Sequence, residues 1–296
     1  MNYTLIKRLK HLVEYAVVML FRSFLLVVPL RVVYLFTTIL GWFTFYVVRF
    51  RRDITMDNLR NAFGDEYGER ELRTIARTAY IHIGMTFIEM ILAPKIYSRI
   101  REMVDVQEFD IVWRLYNENR GIVTVAAHFG SWELCGAVIS AHGVKVTAVA
   151  KRQSNPYIDR LVTRNREYMG IKITTRGAPL KQILQALRRH EMVGLISDQG
   201  DRKNGMFVDF FGRRALAPRG AAQLALKYRV PLVVIAMVRL KNGRYKTFAE
   251  EVAYSSDDTV ESLTQRYTKI MEDIIRKYPH QYFWMHRRWK HSENAR

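Results

Sequence analysis

The sequence predicts an α/β fold: a largely parallel, mixed central sheet flanked by helices, with an apolar N-terminal helical segment that anchors the chain to a membrane. Three observations predict it. Short runs such as Ile122-Val-Thr-Val-Ala126 and Met192-Val-Gly-Leu-Ile196 are rich in apolar and β-branched residues, as strands covered on both faces require. Segments of helical periodicity alternate with them, the pattern of parallel strands joined by helical crossovers. The first fifty residues carry long uncharged stretches that the remainder lacks. The chain therefore divides into an anchoring segment over 1–52 and an α/β domain over 53–296.

In the anchoring segment an apolar run from Tyr15 is broken by Arg22 and again by Arg31. From Val32 to Val48 no charge appears, a stretch at the short end of the roughly 17–25 residues that cross a bilayer. Lys7, Arg8 and Lys10 precede the region, and Arg49, Arg51 and Arg52 follow it. With Trp42, Phe43, Phe45 and Tyr46 near its end, this is the pattern of an interface anchor. Arg22, Pro29 and Arg31 leave open whether it crosses the bilayer or lies on it. The apolar part is too long for a cleaved signal peptide.

Residues 53–68 read as polar and turn-rich. A helix follows from Glu69 to Leu92, with Leu72, Ile75, Ala79, Ile83 and Phe87 at helical spacing. A further helix is expected over 98–120, then the strand before His128. Strands are expected over 143–150, 171–174, 192–197, 231–238 and 245–252. Helices are expected from Tyr157 to Tyr168, from Pro179 to Arg189, from Gly220 to Lys227, and from about Asp257. Residues 201–219, with Gly205, Gly212 and several arginines, read as a functional loop.

The net charge of +19 attracts an acidic partner: an anionic membrane surface, an acidic protein or substrate, or nucleic acid. Charge alone admits a membrane-tethered nucleic-acid-binding protein, but no nucleic-acid motif accompanies it, so nucleic acid is not expected as a partner. The single cysteine, Cys135, excludes an intramolecular disulfide and a multi-cysteine zinc site. No metal-ligand spacing and no glycine-rich nucleotide fingerprint appears, so neither metal nor cofactor is expected.

Candidate chemistry centres on Ala127-His128-Phe-Gly130-Ser131-Trp-Glu133. It places an imidazole at the carboxyl end of a core strand, where open α/β sheets bind ligands. Ser131 is a plausible N-cap for the next helix. Five residues turn a helix about 140° past a full revolution, so His128 and Glu133 meet only if the chain bends between them, which Gly130 permits. A carboxylate on one imidazole nitrogen fixes the tautomer and frees the other nitrogen as a base. Ser131 lies in no nucleophile elbow, and Cys135 reads as a packing residue, so the proton comes from a substrate hydroxyl. Asp198 and Gln199 stand at the end of another core strand and share the crevice if the two strands are neighbours. Arg152, Arg164 and Arg166, together with Lys151, Arg160, Arg213, Arg214 and Arg219, suit phosphate or carboxylate recognition.

Set side by side, several stretches resemble the late acyltransferases of bacterial lipid A biosynthesis. They are Asn58-Leu-Arg-Asn-Ala-Phe63, Ala127-His-Phe-Gly-Ser-Trp-Glu133, Thr163-Arg-Asn-Arg166, Asp198-Gln199, Phe210-Phe-Gly212 and Gln281-Tyr-Phe-Trp-Met-His-Arg-Arg-Trp-Lys290, and their order spans nearly the whole chain. The resemblance implies acyl transfer from acyl carrier protein to a hydroxyl of a membrane glycolipid, a lipid A precursor, at the cytoplasmic face of the bacterial inner membrane. It also implies His128 as catalytic base, Glu133 as its orienting carboxylate, and Arg166 and Asp198 as residues needed for activity. One departure is Ala217 before Pro218, where the family often has threonine, with Gly220 kept. Relatives that acylate other glycolipids from acyl-CoA supply the alternative reading, acyl-CoA-dependent acylation of another membrane glycolipid or aminolipid.

Overall fold

The computed structural model describes residues 2–175, 180–200 and 205–290. Two helices open the chain, α1 (Asn2–Val27) and α2 (Leu30–Phe43), with a π-helical turn over Thr44–Val48. Next come α3 (Arg52–Phe63), α4 (Glu69–Ile91), α5 (Ala93–Tyr97) and α6 (Ile100–Met103). The α/β part then runs β1 (Val104–Asp105), α7 (Asp110–Asn117), β2 (Ile122–Ala126), α8 (Trp132–Ala141), β3 (Val146–Ala150), α9 (Pro156–Tyr168), β4 (Ile171–Thr175), α10 (Leu180–Arg188) and β5 (Met192–Ile196). It closes with β6 (Gly205–Phe210), β7 (Arg213–Pro218), α11 (Gly220–Tyr228), β8 (Leu232–Arg239), β9 (Tyr245–Glu251) and α12 (Val260–Lys277).

Seven strands form one sheet in the order β1-β9-β8-β2-β5-β3-β4. Every pairing is parallel except β8 with β9. The mixed, largely parallel sheet is the predicted one, and its layering explains the composition of the strands. Along β8, Leu232 and Val234 pack with α3, α11 and α12, whereas Val233, Ile235 and Met237 pack with α7 and α8 on the other face. Both faces are covered, so the strands have no polar alternation to show.

β2 is central, between β5 and β8. Its register pairs Ala126 with Ile196, so His128 and Asp198 each stand two residues past the paired ends of neighbouring strands. Beyond this register the Ser197 amide still donates to the Ala126 carbonyl at 2.9 Å. Strand adjacency, left conditional by the sequence, is thus the feature that assembles the site.

Three expectations are corrected. Residues 52–63 are helical rather than turn-rich, because Thr55, Met56, Leu59, Ala62 and Phe63 form a buried stripe. The polar Asn58 is buried too, and donates to the carbonyls of Trp284 (2.7 Å) and His286 (2.6 Å). Residues 98–120 are not one helix: α6, the short β1, a 3₁₀ turn and α7 share that span, with β1 paired to β9. Within 201–219, residues 205–218 form a separate antiparallel hairpin of β6 and β7, closed through Phe211 and Gly212, both at positive φ. The expected helix start at Pro179 lies outside the described residues.

The N-terminal helices pack on the α/β body. Val33, Thr37, Gly41 and Phe45 form the buried stripe of α2 and its π-helical extension. A Cβ at Gly41 would stand 2.9 Å from the Ile81 Cα, so glycine there sets how closely α2 lies against α4. Lys95 Nζ donates to the carbonyls of Leu26 (2.8 Å) and Val28 (2.6 Å), satisfying the carboxyl end of α1. Asn155, the N-cap of α9, also donates to the His11 carbonyl and to Glu14, both at 2.9 Å.

Candidate active site

His128 follows β2 at the start of a tight turn. Gly130 has φ of +57°, and a Cβ there would stand 1.9 Å from the Met237 carbonyl oxygen, so only glycine fits. The turn is pinned on all sides. The Gly130 amide donates to the Gln281 carbonyl (2.9 Å), the Ser131 amide to the Met237 carbonyl (2.9 Å), and the Phe283 amide to the His128 carbonyl (3.0 Å). Ser131 stands at the N-cap position of α8 as predicted, but its hydroxyl makes no cap bond; it donates to Glu89 at 2.6 Å. Ser131 is therefore inaccessible. Burial also pushes the Cys135 thiol up to about 12, so neither side chain is a nucleophile.

The partner of the imidazole is Asp198: His128 Nδ1 lies 2.8 Å from its Oδ1. An ionised carboxylate only accepts hydrogen bonds, so Nδ1 carries the proton and Nε2 is left as the acceptor. The Asp198 side chain is 3% exposed and that of His128 is 28% exposed, so solvent and substrate reach the ring and not its carboxylate. Burial works against a charged imidazole, but the Asp198 charge and hydrogen bond, and then the Glu133 charge, outweigh it and hold His128 above its ordinary value. Burial likewise disfavours the Asp198 carboxylate, yet His128, helped by Arg288, keeps it below its ordinary range. Trp132 and Phe283 wall the imidazole, with ring centroids 5.4 and 6.0 Å away.

Glu133 holds a different position from the one expected of it. Its carboxylate is taken by Arg166, whose Nε and Nη2 donate at 2.9 and 2.6 Å in a bidentate fork. Its charge helps raise the His128 pKa, while the carboxylate bonded to the imidazole is that of Asp198. The reason lies in the turn: α8 begins at Trp132, so Glu133 faces α9, where Arg166 projects inward beside the buried Val162 and Asn165. Arg164, two residues away and so about 200° around α9, is exposed, as is Arg152 in the loop before it. Gln199 is half-buried next to Asp198 in the chain. The structure thus brings His128, Asp198, Glu133 and Arg166 together and leaves Arg152 and Arg164 on the surface. Ala217 is fully buried in β7, paired with Met206, and so packs within the hairpin.

A buried network under the turn was not foreseen. Arg239, at the end of β8, donates through Nε to Glu89 (2.8 Å), through Nη2 to Thr86 (2.6 Å) and through Nη1 to the Gly130 carbonyl (3.3 Å). Thr86 also donates to the Gly130 carbonyl at 2.8 Å, and Tyr245 to Glu89 at 2.6 Å. Glu89 is 0% exposed and Arg239 8%. A charge alone in an apolar run, as in Phe87-Ile-Glu89-Met-Ile91 or Ala236-Met-Val-Arg239, is the sequence signal that marks such a pair. Among the described residues, no three His, Cys, Asp or Glu side chains are grouped to hold a metal ion.

Comparison with known proteins gives the chain its chemical class: it is an O-acyltransferase. It belongs to the bacterial lipid A biosynthesis acyltransferase family, whose profile matches residues 4–291. It is 29% identical over 248 residues to the lipid A biosynthesis palmitoleoyltransferase of Escherichia coli, covering 81% of this chain and 79% of that one. With the Escherichia coli lipid A biosynthesis lauroyltransferase it shares 28% identity over 269 residues, 88% of this chain and 86% of that one. It is also 25% identical over 197 residues to the phosphatidylinositol mannoside acyltransferase of Mycolicibacterium smegmatis, covering 65% of this chain and 64% of the relative.

Proposed function

We propose that the protein transfers a fatty acyl group from an acyl-carrier-protein thioester to a hydroxyl of a lipid A precursor, with His128 as general base. The observation that carries this reading is the 2.8 Å contact of His128 Nδ1 with a buried carboxylate beside a turn without an accessible nucleophile. Nε2 takes the proton of the acceptor hydroxyl as its oxygen attacks the thioester carbonyl. Asp198 fixes the tautomer and, with Glu133, stabilises the imidazolium that forms. Collapse of the tetrahedral intermediate expels the thiolate, which recovers the proton from His128. The amides of residues 129–131 are already bonded to carbonyls, and Arg166 spends Nε and Nη2 on Glu133, so its remaining Nη1 is the favoured donor to the oxyanion.

The acceptor is a lipid, and the N-terminal helices support a membrane setting. Leu30–Val48 is 19 residues long with mean hydropathy 1.5 and is only 22% buried. Val17, Leu20, Phe24, Leu35, Ile39 and Val47 are all exposed. The buried stripe of α2 packs along α4, which supports a helix lying in the membrane interface rather than crossing it; the family resemblance supplies the cytoplasmic face of the inner membrane. The net charge of +19 suits an anionic leaflet and an acidic carrier protein. Likeness to the phosphatidylinositol mannoside enzyme supports a second reading, acylation of another glycolipid from acyl-CoA.

Purified protein offered acyl-carrier-protein and CoA thioesters, each with a lipid A precursor and with a mannosylated phosphatidylinositol, tests both readings. Ester formation on the lipid A precursor from the carrier-protein donor is expected. Exclusive use of the CoA thioester and the mannosylated lipid would establish the second reading, and no transfer to either lipid would end both.

A further inference from the structure

Beside the His128–Asp198 pair lies a cavity of about 650 Å³ that the mechanism above does not use. Arg51, Gly200, His286, Arg287, Arg288 and Lys290 line it, and among the described residues no carboxylate does. We propose that this cavity seats a phosphate group of a substrate, held by Arg51, Arg288 and Lys290 with His286. The proposal deepens the acyl-transfer reading and rests on it.

Four cationic side chains converge on this cavity, and among the described residues the nearby carboxylate of Asp198 is already bonded to His128, so the arrangement suits a further anion. Arg288 supplies the second, independent observation. It is 4% exposed, over the Phe210 ring at 4.8 Å, and Nη1 donates to the Leu216 carbonyl. Its Nε is buried without a hydrogen-bond partner, and so is Nδ1 of His286. A buried guanidinium donor left unpaired is costly, and a phosphate oxygen is the acceptor that suits it. The cavity adjoins the reaction centre: Gly200 follows Asp198 by two residues, and the charge of Arg288 helps hold Asp198 ionised. Arg51 enters from the end of the apolar N-terminal region at φ 55°, a left-handed conformation that arginine seldom adopts, with Nη1 donating to the Met285 carbonyl at 3.3 Å. The cavity therefore lies where the membrane-facing segment meets the C-terminal segment that supports His128.

Phosphate esters occur on a lipid acceptor and on the pantetheine arm of a donor, and the same pocket chemistry serves either. The test has two parts, on the full chain in detergent. Titration with inorganic phosphate at constant ionic strength, read by calorimetry, is expected to show binding that Arg51→Gln combined with Lys290→Gln weakens about tenfold or more; both residues are exposed, so folding is spared. Steady-state kinetics of the same variant are expected to show KM for one substrate raised about tenfold with kcat within about threefold, since uniform binding is lost. Arg288→Lys, which keeps charge but loses the fork, is expected to raise the same KM. If the rise vanishes with a dephosphorylated acceptor, the phosphate is the acceptor's; if it vanishes with acyl-pantetheine, it is the donor's. No phosphate binding by the wild type, equal binding by the variant, or unchanged KM for both substrates overturns the proposal. Phosphate binding needs no turnover, so a protein that binds phosphate here but acylates no lipid separates failure of the acyl-transfer reading from failure of the cavity's assignment.

Discussion

His128 and Asp198 are seventy residues apart in sequence and 2.8 Å apart in space. Their types and strand-end positions were legible in the sequence; their pairing was not, because strand order is a property of the sheet. β5 follows β3 and β4 in the chain but inserts between β2 and β3, and only that insertion makes Asp198 the imidazole's partner. Glu133 was expected to bond the imidazole, whereas the carboxylate on Nδ1 is that of Asp198 and Glu133 is bonded to Arg166. Its bidentate bond to Arg166 makes a testable coupling. Their side chains are 10% and 16% exposed, so Glu133→Gln leaves a poorly solvated guanidinium without its counter-charge near His128. That substitution is expected to lower kcat, and a double-mutant cycle with Arg166→Gln should give a coupling of about 1.5–3 kcal/mol in transition-state free energy. A coupling near zero would show that the two act independently.

The turn from β2 to α8 and the network beneath it behave as one element. Gly130→Ala places a methyl group on the Met237 carbonyl and imposes positive φ on alanine. It is expected to cost several kcal/mol of stability, or to move the turn and abolish activity in a folded protein; circular dichroism with an activity assay distinguishes these outcomes. Glu89→Gln leaves Arg239 buried without a counter-charge and is expected to destabilise the fold by about 3–5 kcal/mol, read as a lower denaturant midpoint. A wild-type midpoint would mean that the pair carries no such weight. The sequence showed this turn's glycine and its bend. It did not show the support from Arg239 and from Gln281 to Phe283, since those contacts join segments more than a hundred residues apart. The hairpin of β6 and β7 was missed because its glycines and arginines read as loop residues, whereas pairing Phe207 with Leu216 and Val208 with Ala215 makes it a ribbon.

For the molecule as a whole, the sheet was predicted from apolar strands alternating with helices, and the exposed apolar helices were visible as uncharged runs. Their orientation was not visible, since it is set by the α2 stripe against α4. Ile39 is 60% exposed on α2, away from the buried stripe, so Ile39→Glu should leave the fold intact while weakening flotation with anionic vesicles several-fold, and added salt should weaken it further. Flotation indifferent to both would remove the membrane-interface assignment. The central claim, a base at His128 made competent by Asp198, is tested most directly by the pH dependence of kcat/KM. The base must be neutral to act, and its folded-state pKa is raised, so the wild-type rate should rise with pH through a midpoint above 6.5. Asp198→Asn removes the principal raising charge while burial remains, so its midpoint should fall and its plateau should drop about 10³–10⁴-fold, with a smaller downward shift for Glu133→Gln. A midpoint that Asp198→Asn leaves in place while Glu133→Gln moves it would contradict the assignment and return the orienting role to Glu133.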